Sequence, residues 1–349
     1  MSGDATTGAG TSSRGADPTA ALTIGSRVVV RYRLPESADF GATDVVGVLL
    51  ARNADVLIVE TPTGKVKLTR SEVIVAKDVP PAADRRGRPH QRISPDDLQR
   101  TMSEGWVATD RAELGDWKLR AASGFTGRAN SVLPVGDPSL PLHNAITFAQ
   151  KWYADRGQRA LFQIYGATGF QVEEHPVGSA LTGRGYLVGG GRPDWSRVLV
   201  MTATSAAIPP LTTDSVPVIG DAKLQPDWVL AYGEGHSVQP GVTESVLTSS
   251  AGQLFMSVKD EASGRPVAIA RMAIHPGWAG IYGLWVAPER RRTGLATAVV
   301  AAIAMAAREN TMGSLYLQVS ADNEAGIAFW QGLDFAVHHE YTYLSQPSD

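Results

Sequence analysis

Residues 280–310 read GIYGLWVAPERRRTGLATAVVAAIAMAAREN, and this stretch predicts a strand, a tight turn and a helix in succession. Ile281–Val286 is a short apolar run with aromatic and β-branched members, and Pro288 ends it. The segment from Leu295 onward is rich in alanine, which has the highest helix propensity. We therefore expect the chain to leave a strand near Ala287 and to begin a helix near Leu295.

The loop before this helix has the features of a phosphate-binding site. Gly294 has no side chain and Ala296 has a small one, so that another group can come close to the backbone. The first turn of a helix offers unpaired N–H groups and the positive end of the helix dipole. Arg291 and Arg292 add positive charge beside it. The loop therefore predicts binding of a phosphate group.

The pattern Arg291-x-x-Gly294-x-Ala296 resembles the pyrophosphate loop of the GNAT superfamily of N-acetyltransferases, which bind acetyl-coenzyme A (acetyl-CoA). The neighbouring segments follow the order of that family. A predicted hairpin precedes the loop, and a predicted strand at residues 314–319 and the asparagine at position 323 follow it. The resemblance covers roughly residues 211–344, and it implies a mixed, mostly antiparallel sheet with flanking helices.

The resemblance also implies which residues bind acetyl-CoA. Residues 284–287 are expected to pair through their backbone with the pantetheine arm, and the N–H of Val286 is expected to polarise the thioester carbonyl. Asn323 is expected to hold the CoA from the neighbouring strand. The expected cofactor-binding residues are Leu284, Trp285, Val286, Ala287, Arg291, Arg292, Thr293, Gly294, Leu295, Ala296, Thr297, Asn323, Phe329 and Trp330. No metal ion is expected.

The catalytic residues stay open, because the chain departs from the family pattern. Tyr282 and Gln318 occupy positions at which many members carry a glutamate base, and neither is a useful base near neutral pH. Trp330 occupies the position of the family's tyrosine acid. The candidates for these roles are Tyr232, His236 and Tyr341, with Glu234, His338, His339 and Tyr343 as further alternatives. A packing or surface role is the competing explanation for each of them.

Composition narrows the function classes. At 349 residues the chain is long enough for two or three domains, and its net charge of -3 gives no general attraction to nucleic acid or anionic membranes. The sequence has no cysteine, which excludes disulfides, thiolate metal sites and an acyl-cysteine intermediate. Any acyl transfer is therefore expected to be direct. Since no segment has the length and apolar character of a membrane span or a signal peptide, a cytoplasmic location is expected.

The N-terminal region differs from the rest of the chain in composition and in the length of its apolar runs. Residues 1–20 are rich in glycine, serine, threonine and alanine and are expected to form a disordered tail. Short apolar runs between residues 21 and 78 predict a small β-barrel, which looks like an SH3-like barrel. Its nearly balanced charge favours a docking or packing module, with a possible protein partner. Residues 79–93 are rich in proline and arginine and are expected to form a linker.

Residues 94–210 predict a degenerate copy of the GNAT-like α/β unit at residues 211–349. A strand at residues 130–135, a helix at residues 142–156 and a further strand follow the order of the second unit. The connection at residues 136–142 contains an aspartate and two prolines but no arginine. The aspartate would repel a pyrophosphate, and the prolines have no N–H groups to donate to it. CoA binding is therefore assigned to the second unit alone, with the first unit shaping the acceptor side.

Taken whole, the chain resembles actinobacterial GNAT proteins that carry an SH3-like N-terminal module, some of them described as histone-acetyltransferase-like. Residues 117–120, 124–130 and 135–138 contribute to this resemblance. It implies an acyltransferase that moves acetyl directly from acetyl-CoA to a primary amine, on a protein lysine or a small molecule. The alternative is an acetyl-CoA-binding regulatory module with little or no catalysis, which Trp330 and the missing carboxylate favour.

Overall fold

The structure is a computed structural model that describes residues 17–34, 41–61, 64–79, 89–189, 196–211 and 216–347. The chain divides into two compact units, residues 1–86 and residues 87–349. Most of the predicted tail and most of the predicted linker lie outside the described residues. Among the helices that the structure describes, none is long and apolar enough to cross a membrane.

The first unit contains a five-stranded antiparallel sheet, which confirms the short strands predicted there. Its strands are β1 (Arg27–Arg33), β2 (Ala42–Arg52), β3 (Val56–Thr61), β4 (Gly64–Thr69) and β5 (Val73–Asp78), in the order β4-β3-β2-β1-β5. Burial alternates along β2, where Val45 and Leu49 are buried and Val46 and Val48 are exposed. This two-residue period places one face of the sheet on a small apolar core. The finer prediction of an SH3-like barrel stays a prediction.

The second unit combines strands and helices. Its strands are β6 (Asp110–Leu114), β7 (Trp117–Ala121), β8 (Leu161–Gly166), β9 (Leu187–Val188), β10 (Val198–Thr204), β11 (Ile219–Asp221), β12 (Gln253–Lys259), β13 (Pro266–His275), β14 (Trp278–Val286), β15 (Ser314–Ser320) and β16 (Ala336–Ser345). Its helices are α1 (Pro95–Glu104), α2 (Leu142–Ala154), α3 (Pro176–Thr182), α4 (Pro226–Gly235), α5 (Val242–Leu247), α6 (Leu295–Glu309) and α7 (Glu324–Gly332). Local signals set such boundaries: Ser94 caps α1 by accepting a hydrogen bond from the Asp97 amide.

One mixed, mostly antiparallel sheet runs through the second unit in the order β11-β12-β13-β14-β15-β10-β16-β8, with β9 beside β16. β8 and β10 come from the predicted first copy, whereas β11 to β16 come from the predicted second copy. β10 lies between β15 and β16 and pairs antiparallel with both. The two predicted copies thus share one sheet, and the degenerate character of the first stays a prediction.

Residues 130–135 differ from the strand predicted there. Only two isolated bridges form within this described segment, from Val132 to β8 and from Leu133 to β7. The physical reason lies in two neighbours: Pro134 has no N–H to donate, and the Asn130 side chain bonds to the preceding loop instead. The helix and the strand predicted after this segment are confirmed as α2 and β8.

Helix α6 packs on β12, β13 and β14 and fixes the position of the preceding loop. Leu295, Val299, Val300 and Ile303 are buried on its inner face, and alanines fill the space between them. Burial of each large apolar side chain contributes about 1.5–3 kcal/mol. The first turn of α6 is therefore held firmly next to the end of β14.

β14 and β15 run parallel but pair only near their first residues. Trp278–Gly280 pairs with Ser314–Tyr316. Farther along, residues 281–286 continue to pair with β13, and residues 317–320 continue to pair with β10. The two strands therefore diverge and leave a gap between residues 281–286 and residues 317–320, which we call the opening.

Candidate active site

A bulge in β14 borders the opening. β13 and β14 shift register between Ile269 and Arg271, so that β14 holds one extra residue there. Gly283 lies in this bulge with φ of 60°, a conformation that favours glycine. A Cβ on Gly283 would lie 2.9 Å from ring carbon Cε2 of Tyr232 in α4. The strand is thus bent where the sheet opens, and α4 packs directly on the bend.

The predicted phosphate loop connects β14 to α6, and side chains fix its shape. Nε of Arg291 donates to the Val286 carbonyl oxygen at 3.2 Å, and the Thr293 hydroxyl donates to the Arg290 carbonyl oxygen at 2.6 Å. Arg290 also pairs with Asp260 at 3.0 Å. Arg291 remains exposed in this arrangement, so that its guanidinium is accessible to a ligand.

The start of α6 is open and carries no negative charge of its own. The N-cap is Gly294, with a left-handed φ of 87°, and a Cβ there would meet nothing within 4 Å. Within the part of the chain that the structure describes, no side chain caps α6, and its first turn has no acidic residue. The first-turn amides, which include those of Ala296 and Thr297, are therefore free for an anion.

The remaining predicted cofactor residues lie at and around α7. Asn323 is the N-cap of α7, directly after β15, and its Oδ1 accepts a hydrogen bond from the Gly326 amide at 2.9 Å. Trp330 is buried between Phe329 and Phe335, with ring centroids 4.9 and 5.2 Å away. Core packing accounts for Trp330, and its contact with a cofactor stays a prediction.

Comparison with known proteins identifies the family. Residues 96–344 match the family model described as "Probable histone acetyltransferase Rv0428c C-terminal", and residues 22–77 match the model described as "Rv0428c N-terminal Sm-like domain". The chain belongs to this family. The first match spans both predicted copies, in agreement with the single sheet that they share.

Relatives and solved structures agree with the Rv0428c family. The probable histone acetyltransferase Rv0428c of Mycobacterium tuberculosis is 33% identical over 135 residues, which cover 38% of this chain and 41% of that protein. The uncharacterized N-acetyltransferase YobR of Bacillus subtilis is 24% identical over 257 residues, which cover 70% of this chain and 96% of that protein. A GCN5-related N-acetyltransferase from Kribbella flavida has a TM-score of 0.51 at 14% identity, covering 73% of this chain and 96% of its own. The GNAT fold predicted from the loop is thereby confirmed.

In this Rv0428c-family chain, the two residues at the positions of a family base are engaged by neighbouring groups. Tyr341 Oη donates to Gln318 Oε1 at 2.8 Å. Tyr282 Oη shares a hydrogen bond with Tyr316 Oη at 2.9 Å and donates to the Met102 carbonyl oxygen. Burial raises the pKa of both Tyr282 and Tyr341. Neither Gln318 nor Tyr282 therefore supplies a base near neutral pH.

His236 is the predicted candidate with the best geometry for a base. Its ring stacks on Tyr232 at 4.3 Å, and its Nδ1 lies 3.2 Å from the Tyr232 carbonyl oxygen. A carbonyl only accepts, so Nδ1 carries the hydrogen and Nε2 of the neutral ring keeps its lone pair. Burial lowers the pKa of His236, which keeps the ring neutral at pH 7. The preceding Gly235 packs against Trp285, so that His236 lies beside the end of β14.

The other candidates have structural partners. Burial raises the pKa of Tyr232 to about 12, so that this hydroxyl holds its proton at neutral pH. His339 is buried, with Nε2 at 2.9 Å from the amide nitrogen of Gln99, and burial lowers its pKa to about 3. Glu234 is exposed and pairs with Arg265 at 3.4 Å. These contacts favour packing or surface roles for His339 and Glu234.

Two surface depressions lie away from the opening. One of about 370 Å³ is formed by the β13–β14 turn and the segment after α6, at the opposite end of β14. The other, of about 490 Å³, includes Glu104 and Lys118, which pair with each other. Among the described residues, no group of three or more histidine, aspartate or glutamate side chains is arranged to hold a metal ion. The opening, beside the uncapped start of α6, is the candidate catalytic site.

One residue near the opening was missed by sequence analysis. The Cζ atom of Arg128 lies 5.4 Å from the ring centroid of Tyr282 and 5.0 Å from that of Trp106. Arg128 belongs to the segment 124–130, which contributed to the family resemblance, but an isolated arginine in a loop has no periodic signal. Only the fold brings it to β14.

Proposed function

We propose that the protein is an N-acetyltransferase that moves the acetyl group of acetyl-CoA directly to a primary amine, in a protein lysine or a small molecule. The observation that carries this proposal is the divergence of parallel strands β14 and β15 beside the open, uncapped start of α6. A strand edge that has lost its partner offers backbone groups to an extended ligand. The helix start offers amides to a phosphate.

The loop residues fit the diphosphate of acetyl-CoA. Arg291 and Arg292 are exposed and would neutralise its charge, and the space at Gly294 leaves room for phosphate oxygens. Along the opening, residues 284–287 would pair with the pantetheine arm. The N–H of Val286 would then stabilise the thioester oxygen, an effect often worth about 3 kcal/mol of barrier. Bound acetyl-CoA supplies the activated acetyl group.

The acceptor amine must lose a proton in the reaction. Deprotonation of a free lysine amine, whose pKa is near 10.4, costs about 4.6 kcal/mol at pH 7. We assign the base role to Nε2 of His236, which takes this proton as the amine nitrogen bonds to the carbonyl carbon and the C–S bond breaks. The sulfur leaves as a thiolate, and a thiol pKa of about 8.5 makes a strong acid unnecessary. Tyr341 remains a candidate proton donor to that thiolate.

The donor site is tested by a matched pair of double variants. Arg291→Ala with Gly294→Ala should weaken acetyl-CoA binding at least tenfold in calorimetry, because charge and backbone shape are lost together. The control is Gly264→Ala with Arg265→Ala, because Gly264 also has a positive φ (68°) and open surroundings. Equal affinity of the two double variants would refute the proposed phosphate site.

A second candidate function is an acetyl-CoA-binding regulatory module. It is favoured by the burial of Trp330 and by the bond between Tyr341 and Gln318, which occupies two groups near the opening. Thiol release from acetyl-CoA in the presence of amines and lysine peptides separates the two functions. Turnover above hydrolysis supports the transferase, whereas binding without turnover supports the module.

The N-terminal unit is proposed as a docking module for a protein partner. Its strands carry nearly balanced charge, which gives no preference for nucleic acid. The mycobacterial relative is named a probable histone acetyltransferase, which is consistent with a protein acceptor. A protein partner captured by the wild type and lost after substitutions on the exposed face of β2 would support this role.

A further inference from the structure

Two arginines in the described part of the second unit are buried, and each donates three hydrogen bonds. Arg120 donates three hydrogen bonds of 2.8–2.9 Å to oxygen atoms of Ser131 and Gln163. Arg271 donates three hydrogen bonds of 2.6–2.8 Å to two backbone carbonyls and one hydroxyl. Both are buried, and their partners explain why a charge is tolerated there.

Arg128 is different. Among the residues that the structure describes, it has neither a hydrogen bond nor an ion pair, and its close neighbours are the aromatic rings of Trp106 and Tyr282. The side chain is half-buried, so its five N–H donors are only partly accessible to water. The guanidinium therefore has unused N–H donors, and a ligand can supply the acceptor for them.

Hydrogen bonds from the Asn130 side chain fix the conformation of the loop that carries Arg128. Oδ1 of Asn130 accepts hydrogen bonds from two loop amides at 2.8 Å, and its Nδ2 donates to two loop carbonyls at 2.7 and 2.9 Å. Ser123 and Thr126 adopt positive φ values of 49° and 59°, which are unfavourable for these residue types. Such strain persists only where the surroundings enforce it, and it is concentrated at functional sites.

The same loop contacts both β14 and β16. Arg128 lies over Tyr282 of β14, while a Cβ on the neighbouring Gly127 would lie 2.7 Å from Cζ of Tyr343 in β16. Burial raises the pKa of Tyr232, Tyr282, Tyr341 and Tyr343, and the charge of Arg128 opposes that rise in each case. The charge of Arg128 also lowers the pKa of His236. The guanidinium and the proposed base are therefore close enough for their charges to interact.

We propose that Arg128 binds a carboxylate of the acetyl acceptor, so that the acceptor is a small amine that also carries a carboxylate. This inference rests on the proposed acetyl transfer. One guanidinium balances the charge of one carboxylate and can bind both of its oxygens, whereas a phosphate carries up to two negative charges. Arg128 is thus a specificity-determining residue on the acceptor side.

The test compares matched acceptors. Thiol release is measured with ω-amino acids from glycine to 6-aminohexanoate and with the corresponding ω-amino carboxamides, which lack the negative charge. We expect at least one acid to be used about 10- to 100-fold more efficiently than its amide, mainly through KM. Arg128→Gln should abolish this preference, and Arg128→Lys should keep part of it, because lysine retains the charge but not the fork. Arg111→Gln, at an exposed arginine, is the control.

The outcomes separate this inference from the proposed function. Equal use of acids and amides overturns the inference, and so does a preference that survives in a folded Arg128→Gln protein. Acetylation of lysine peptides that is indifferent to Arg128, or tight acetyl-CoA binding without turnover of any amino acid, also overturns it. Loss of acetyl-CoA binding in the Arg291 and Gly294 double variant concerns the donor site and leaves the acceptor test independent. Thermal unfolding checks that each variant is folded.

Discussion

The connections that lead into α2 and α6 differ, and only the second of them is suited to an anion. The connection before α2 is filled: a Cβ on Gly136 would meet the Asp116 carboxylate, which also accepts a hydrogen bond from the Asp137 amide at 2.9 Å. The connection before α6 is open at Gly294 and carries exposed arginines. Neither helix has a side-chain cap in the described structure.

The comparison shows that a helix start does not by itself make a phosphate site. Both connections lead into a helix, and in the described structure no side chain caps the first turn of either helix. The difference lies mainly in space, since Asp116 and Arg100 fill the first connection and pair with each other, whereas the arginines of the second are exposed beside an open glycine. Strand divergence beside the second connection adds the room that a long cofactor needs.

The largest expected effect concerns the proposed general base, His236. His236→Gln should lower kcat for acetyl transfer about 100-fold at pH 7, because a general base is lost. Since burial lowers the pKa of His236 below its usual range, the ratio of wild-type to variant rates should be largest at neutral and alkaline pH and fall as lower pH protonates the ring. His143→Gln, on the exposed face of α2, is the control. Similar pH profiles for wild type and His236→Gln would contradict the base role.

The next effect converts the open connection into a copy of the filled one. Gly294→Asp brings a carboxylate to the start of α6 and strains a position with φ of 87°. Acetyl-CoA affinity should fall about 10- to 100-fold, because the carboxylate competes for the amides and repels phosphate. Gly264→Asp, at an exposed glycine with φ of 68°, should leave the affinity unchanged in calorimetry.

A smaller effect separates the connections by stability rather than by binding. Gly136→Ala should cost about 2 kcal/mol of unfolding free energy, since φ is 78° and the new methyl group displaces Asp116. Gly294→Ala meets open space and should cost about 1 kcal/mol from its backbone alone. Denaturant unfolding of both variants measures the difference. Equal costs would mean that the first connection is not tightly packed.

The smallest effect is a response to salt. The exposed arginines of the open connection should bind phosphate less tightly as ionic strength rises from 0.05 to 0.5 M, by about threefold, because solvent-exposed charges are screened. Arg291→Ala should show a shallower salt dependence in calorimetric titrations with acetyl-CoA. An unchanged slope would remove Arg291 from the phosphate site.

Local features of the fold could be predicted from the sequence, and long-range ones could not. The β14–loop–α6 unit follows from neighbouring residues: apolar Ile281–Val286, the stop at Pro288, and the small residues that begin a helix at Leu295. The insertion of β10 between β15 and β16 depends on pairs more than 100 residues apart, which no local pattern encodes.

The same distinction applies to the site. Arg291 and Gly294 form a short motif, so that their role can be predicted from spacing. The proposed role of Arg128 depends on a loop that Asn130 holds together next to Tyr282, and a side-chain network of that kind leaves no periodicity in the sequence. Trp330 could be located by motif, but its burial against aromatic neighbours became visible only in the structure.

The most direct test measures amide hydrogen exchange at the first turns of α6 and α2, before and after saturation with acetyl-CoA. If the diphosphate binds at the open connection, exchange at residues 294–297 should slow strongly while exchange at residues 142–145 stays unchanged. Slowing at α2, or no change at α6 under conditions in which acetyl-CoA is bound, would contradict the assignment of the phosphate site.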